Sequence, residues 1–141
     1  MVPEQKPGAT RRSMYLQQKR RQVTGMLDAF DAPSIVFNCT ARSPTTVPLQ
    51  SLKLLNSEFV RLRARGLAAR SREHAKDLPE RIRAVFRQAL GRPPTDEEFA
   101  ASRRFLETQP SRYEPPADAE MLAWTDFCQM LLASNAFLCV E

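Results

Sequence analysis

The chain has 141 residues, 43% hydrophobic and 26% charged, which is the composition of one folded domain and not of a disordered segment. Lys and Arg number 21 against 16 Asp and Glu, a net charge of +5, and no apolar run nears the roughly 18–20 residues of a membrane span. One histidine, His74, and three cysteines, Cys39, Cys128 and Cys139, provide no histidine pair for zinc, no CxxC and no CxxCH haem-attachment motif.

Residues 1–10, MVPEQKPGAT, read as a flexible lead-in without the apolar stretch of a secretory leader. Residues 11–141 read as a single helical domain. In RRSMYLQQKR, Ser13, Tyr15 and Gln17 alternate with Met14, Leu16 and Gln18. That fits one short strand, an extended arm or a helical turn. The loop-rich stretch from Gly25 to Pro48 carries Met26, Leu27, Phe30, Ile35, Val36 and Phe37, too apolar for a free linker.

A first helix is expected from Pro48. Leu49, Leu52, Leu55, Phe59 and Leu62 fall at spacings of three and four, one apolar stripe, and Thr45 or Thr46 can cap it. Lys53, Arg61, Arg63, Arg65, Arg70 and Arg72 form the outer side. Asn56-Ser57 is a candidate break, because both side chains compete for local backbone hydrogen bonds, and Gly66 is a second weak point.

Asp77-Leu78-Pro79-Glu80 has the spacing of a capping box and opens the next helix. Ile82, Val85, Phe86, Ala89 and Leu90 form its inner face, with Arg81, Arg83 and Arg87 expected outside. Gly91 is expected to stop it in the left-handed conformation, ahead of Pro93-Pro94. Thr95 and Glu98 form a second capping box for a third helix with Phe99, Ser102 and Phe105 or Leu106 inward. After the loop TQPSRYEPPAD, Asp118 opens a fourth. Met121, Trp124, Phe127 or Cys128, Leu131 and Leu132 give it a broad apolar face, and Ser134-Asn135 end it. Cys128 reads as a small buried hydrophobe. The fold class is therefore all-α: an irregular bundle of about four helices, with a loop-rich N-terminal segment and at most one short strand.

Five blocks in this order resemble a family. They are Arg11-Arg12-Ser13-x-Tyr15, then Asp31-Ala32-Pro33, then Thr46-x-Pro48-Leu49-Gln50-x-Leu52-x-Leu54-Leu55-Asn56. Leu90-Gly91-Arg92-x-Pro94 follows, and last come Trp124, Leu131, Ser134, Asn135 and Phe137. Over residues 8–141 the chain resembles the C-terminal part of the planctomycete domain of unknown function numbered 1553. Ala136 and Cys139 depart from that family's usual acidic and aromatic residues. The resemblance implies a portion of a larger bacterial protein, periplasmic or held in the cell envelope, that also carries a cytochrome-c-like module. It assigns no cofactor to this chain, any haem belonging to an upstream domain. The partner it implies is the N-terminal half of the same protein or an adjacent chain.

No residue is assigned a catalytic, cofactor-binding or metal role. Polar residues set among apolar ones, Arg11, Arg12, Arg42, Gln50, Asn56, Arg92 and Asn135, are candidates for structural or interaction roles. The favoured reading of Arg42, Gln50, Asn56, Arg92 and Asn135 is that they tie helix ends and loop carbonyls together in the core. Charge is uneven: residues 1–75 hold 13 Lys and Arg against 5 acids, and residues 76–141 hold 8 against 11. A basic nucleic-acid-binding helical module is one alternative. It is disfavoured because Asp96-Glu97-Glu98 would open the recognition helix and repel phosphate. A cryptic enzyme is the other, and no phosphate loop, nucleophile elbow or metal cluster supports it.

Overall fold

The computed structural model describes residues 30, 48–75, 77–114 and 116–138, and the chain divides into two units, residues 1–53 and 54–141. The described residues form α1 (Pro48–Leu55), α2 (Glu58–His74), α3 (Leu78–Leu90), α4 (Asp96–Thr108), α5 (Ala119–Leu132) and α6 (Asn135–Leu138). Two 3-10 turns, Gln109–Arg112 and Pro116–Asp118, link α4 to α5. The fold is all-α, and no described residue lies in a strand. The strand-like segment Ser13–Gln18 and the apolar loop Met26–Phe37, Phe30 apart, lie outside the described residues. No described helix is long and apolar enough to cross a membrane.

In the first unit, Phe30 sits half-buried in a turn, and α1 begins at Pro48. Its Gln50 is buried, 6% exposed, whereas Leu52 is 53% exposed.

In the second unit the break at Asn56-Ser57 divides the expected first helix. Ser57 adopts an extended backbone, and its Oγ accepts the Val60 amide, so α2 starts afresh with its own cap. The single stripe expected from the leucines is not the buried face on either side of the break. Leu55 and Leu62 face solvent, 44% and 45% exposed. The buried face of α2 is Val60, Ala64, Leu67, Ala68 and Ser71, also at spacings of three and four. Ala64 and Ala68 are fully buried, and side chains this small let α2 approach α5, its main packing partner. The helix runs through Gly66 without interruption.

Helix α3 buries Ile82, Val85 and Phe86 as expected, but Asp77 makes no side-chain capping bond, so the first capping box does not form. Helix α4 has its box complete: Thr95 Oγ1 accepts the Glu98 amide at 3.2 Å, and Glu98 Oε2 accepts the Thr95 amide at 2.8 Å. Asp118 precedes α5 without a side-chain capping bond. Phe127 of α5 is the centre of the core. Trp124 meets it edge-on at 5.8 Å, and Phe86 and Phe105 tilt against it at 6.3 and 6.4 Å, distances at which aromatic pairs attract beyond their buried area. Cys128 is fully buried beside them, and desolvation pushes its thiol up to about 12, so it packs as an apolar group with its proton retained. The segment after Ser134 continues as the short α6, which touches α3 and α5.

Candidate functional site

The second unit has an open groove of about 740 Å³ between α2 and α5. Its apolar lining comes from Leu55, Leu62, Met121 and Leu122. Arg61 and Arg65 stand on the α2 wall with Glu58 at one end, and Asp118 and Asp126 stand on the α5 wall. No ion pair among the described residues joins the two walls. The α2 residues that reach the groove, 58, 61, 62 and 65, share a helix face that flanks the buried alanines. One bond fixes the end of the groove: Gln129 Nε2 donates to the Leu55 carbonyl at 2.6 Å, holding the break between α1 and α2 against the end of α5. Asp126 accepts bonds from the Tyr113 hydroxyl and from Gln109 Nε2, so the 3-10 turn orients that carboxylate. Burial, reinforced by the Asp126 bond, raises the Tyr113 phenol above its usual range and keeps it a donor.

Outside this groove, α2 and α5 together hold a buried arginine of α3. Arg81 was expected on the outside of α3, but it is 6% exposed. Its guanidinium lies 3.8 Å from the ring centroid of Trp124. Nε donates to Ser71 Oγ at 3.2 Å, Nη2 to the Ala68 carbonyl at 3.3 Å, and Nη1 to Glu120 Oε1 at 2.9 Å. Ser71 Oγ in turn donates to the Ala68 carbonyl at 2.7 Å. Burial pulls the guanidinium below its ordinary value, and the Glu120 bond opposes that shift. The sequence held a signal for this. Arg81 falls three residues after Leu78 and four before Val85, on the apolar face of α3. Only the residue type pointed outward, and a planar guanidinium stacks on an indole where an ammonium would not.

The turn between α3 and α4 is built on Gly91 and Arg92. Gly91 has φ 70°, the left-handed C-cap expected of it. Arg92 forks onto Glu98, with Nη1 to Oε2 at 2.8 Å and Nη2 to Oε1 at 2.7 Å, and Nη1 also reaches the Pro93 carbonyl at 3.1 Å. Glu98 therefore serves the cap of α4 and the fork of Arg92 at once. The Arg92 bond is the chief reason its carboxyl is lowered to about 2. Leu90-Gly91-Arg92 thus closes a helix–turn–helix by backbone conformation and charge, with no ligand required.

The other polar candidates are dispersed. Gln50 is buried in the first unit and has a polar partner. Asn56 and Asn135 are exposed, at the α1–α2 break and at the start of α6, which departs from the core placement expected for them. Arg11, Arg12 and Arg42 lie outside the described residues. Of the four that are described, Asn56 lines the groove.

Comparison with known proteins agrees with the motif order. The model of a family described as PSD1, Protein of unknown function (DUF1553), matches residues 1–106. The chain belongs to this family. The match takes in four of the five motif blocks, including the Gly91–Arg92 turn. It ends within α4, so the block from Trp124 to Phe137 lies beyond it, short of the reach to residue 141 expected from the sequence. No curated protein and no solved structure matches the chain.

Proposed function

We propose that this chain is a structural and interaction domain of a larger bacterial protein. The observation that carries the reading is the pair Leu55 and Leu62, both more than two-fifths exposed beside an open groove. Helix α2 already fills its core face with Val60, Ala64, Leu67 and Ala68, and these two leucines lie outside the buried core. Adjacent exposed apolar side chains bordered by charge are the surface chemistry of a contact with another protein. The resemblance set out above extends the proposal to a cell-envelope protein with haem carried by another domain, the partner being the N-terminal half of that protein or an adjacent chain.

Light scattering on the isolated chain tests the contact. Self-association or aggregation is expected, and Leu55→Lys with Leu62→Lys should abolish it with the helical circular dichroism unchanged. A monodisperse wild-type monomer would overturn the reading. The haem and envelope portion is tested separately by the reading frame upstream of Met1, where a CxxCH motif and a secretory leader are expected.

Nucleic-acid binding retains one observation in its favour. Arg61, Arg63, Arg65, Arg70 and Arg72 of α2 are all exposed. Asp96 and Glu97, exposed at the start of α4, oppose it on the helix after the turn. An affinity for DNA or RNA that falls steeply with salt would favour this second reading.

A further inference from the structure

We propose that the α2–α5 groove receives one amphipathic α-helix of a partner protein, with about two turns seated in it, acids along one flank and bases along the other. The proposal rests on the interaction reading above and names the occupant of that same surface. The length follows from the walls. Glu58 to Arg65 of α2 and Met121 to Gln129 of α5 span about 10 and 12 Å at a helical rise of 1.5 Å per residue, which is the footprint of some eight helical residues.

The type of occupant follows from hydrogen bonding. Both walls are helices whose backbone groups bond within the helix, and at the groove's end the Leu55 carbonyl is already taken by Gln129. An extended peptide would bring unpaired amides and carbonyls onto Leu62, Met121 and Leu122 and find few partners there. A helix brings its backbone already satisfied and offers an apolar stripe at i, i+3, i+4 and i+7 to that lining.

The flanks follow from charge. Arg61 and Arg65 are one helical turn apart on one wall, and Asp118 and Asp126 are about two turns apart on the other. No ion pair among the described residues joins the walls, so the two carry opposite charge toward an incoming group. Glu58 tempers the basic wall at the Leu55 end, so the acidic flank of the ligand should be densest near Arg65. Tyr113 and Gln109 hold Asp126 in place, which lowers the entropy lost when a basic side chain meets it.

Two capped 14-residue probe peptides with the same leucine stripe test this. One carries Glu along one flank and Lys along the other, and the second carries Lys on both. Fluorescence anisotropy with the full chain should show the mixed peptide bound more tightly. In Arg61→Glu/Arg65→Glu both walls are acidic, so its affinity for the mixed peptide should fall about tenfold and its preference should pass to the all-Lys peptide. Circular dichroism should show the mixed peptide gaining helix on binding. Affinities within threefold of each other for both peptides and both proteins would overturn the proposal, as would no binding of the mixed peptide to the wild type. If the leucine variants still abolish self-association in that case, the interaction reading survives and only the helical occupant falls.

Discussion

Arg81 and Arg92 both pair with a glutamate, yet they do opposite work. Arg92 sits at the surface, 42% exposed with its partner at 33%, and joins residues six apart in sequence. It closes a turn. Arg81 is 7% exposed by side chain, its partner Glu120 is 65% exposed, and the two are 39 residues apart. It joins three helices through Ala68 and Ser71 of α2 and Trp124 and Glu120 of α5. The lesson is that the visible ion pair is a poor guide to the role. What matters at Arg81 is the ring and the backbone carbonyl that the guanidinium covers, because those are the groups removed from water.

The widest separation of the two sites is expected from truncation. Arg81→Ala removes the stacked plane from Trp124 and opens a void among α2, α3 and α5. A loss of about 3 kcal/mol is expected from the desolvated cation–π contact and the charged hydrogen bonds together. Trp124 is the single tryptophan, so its emission should also shift to longer wavelength as water reaches the ring. Arg81→Lys should recover only part of the loss, since an ammonium cannot stack and fork at once. Wild-type thermal stability and emission in Arg81→Ala would break the comparison.

Much of this framework was legible in the sequence, and each failure has a physical origin. Gly91 and the Thr95–Glu98 box were readable because each depends on residues within a turn of one another, although the equally local Asp77–Glu80 box does not form. The fold class was readable because apolar spacing near 3.6 repeats through four segments. The break at Asn56-Ser57 was legible, but the buried face of α2 was misread because the stripe was drawn through the largest apolar side chains, whereas the inner ones are Val60, Ala64, Leu67 and Ala68. Alanines 64 and 68 have little hydrophobic weight in such a stripe, yet their small size sets the approach to α5. Arg81 was misplaced because its neighbours Ala68, Ser71, Glu120 and Trp124 are all distant in sequence. The groove was invisible for the same reason: its walls come together only when α2 meets α5.

At the Arg92 turn the next expected effect is on the backbone. Gly91→Ala meets no atom within 4 Å of the new Cβ, so sterics with neighbours are not the issue. The left-handed φ of 70° is, and it should cost about 1.5 kcal/mol, measured by denaturant unfolding with an unchanged m-value. Slightly less, about 1 kcal/mol after allowance for exposure, is expected from Arg92→Ala. That interaction carries a pH signature. The folded Glu98 carboxyl is lowered from 4.5 to about 2, so its contribution is complete above 4.5 and is lost as pH falls from there toward 2. The stability gap between wild type and Glu98→Gln should therefore close across that interval. A gap that stayed constant from pH 6 to pH 2 would show that the fork of Arg92 contributes nothing measurable.

The smallest effect is expected where a buried ion pair would be thought most costly to break. Glu120→Gln keeps an acceptor oxygen within reach of Arg81 Nη1 and removes only the charge. Because the Glu120 carboxylate is mostly in water, its attraction for the guanidinium is screened, and the exchange should cost no more than about 0.5 kcal/mol. The guanidinium would still stack on Trp124 and still donate to Ser71 and Ala68. A double-mutant cycle with Arg81→Ala decides the matter: a coupling near zero assigns the site to the ring and the α2 carbonyl. A coupling of 2 kcal/mol or more would assign it to the ion pair, and would make Arg81 and Arg92 two versions of one device.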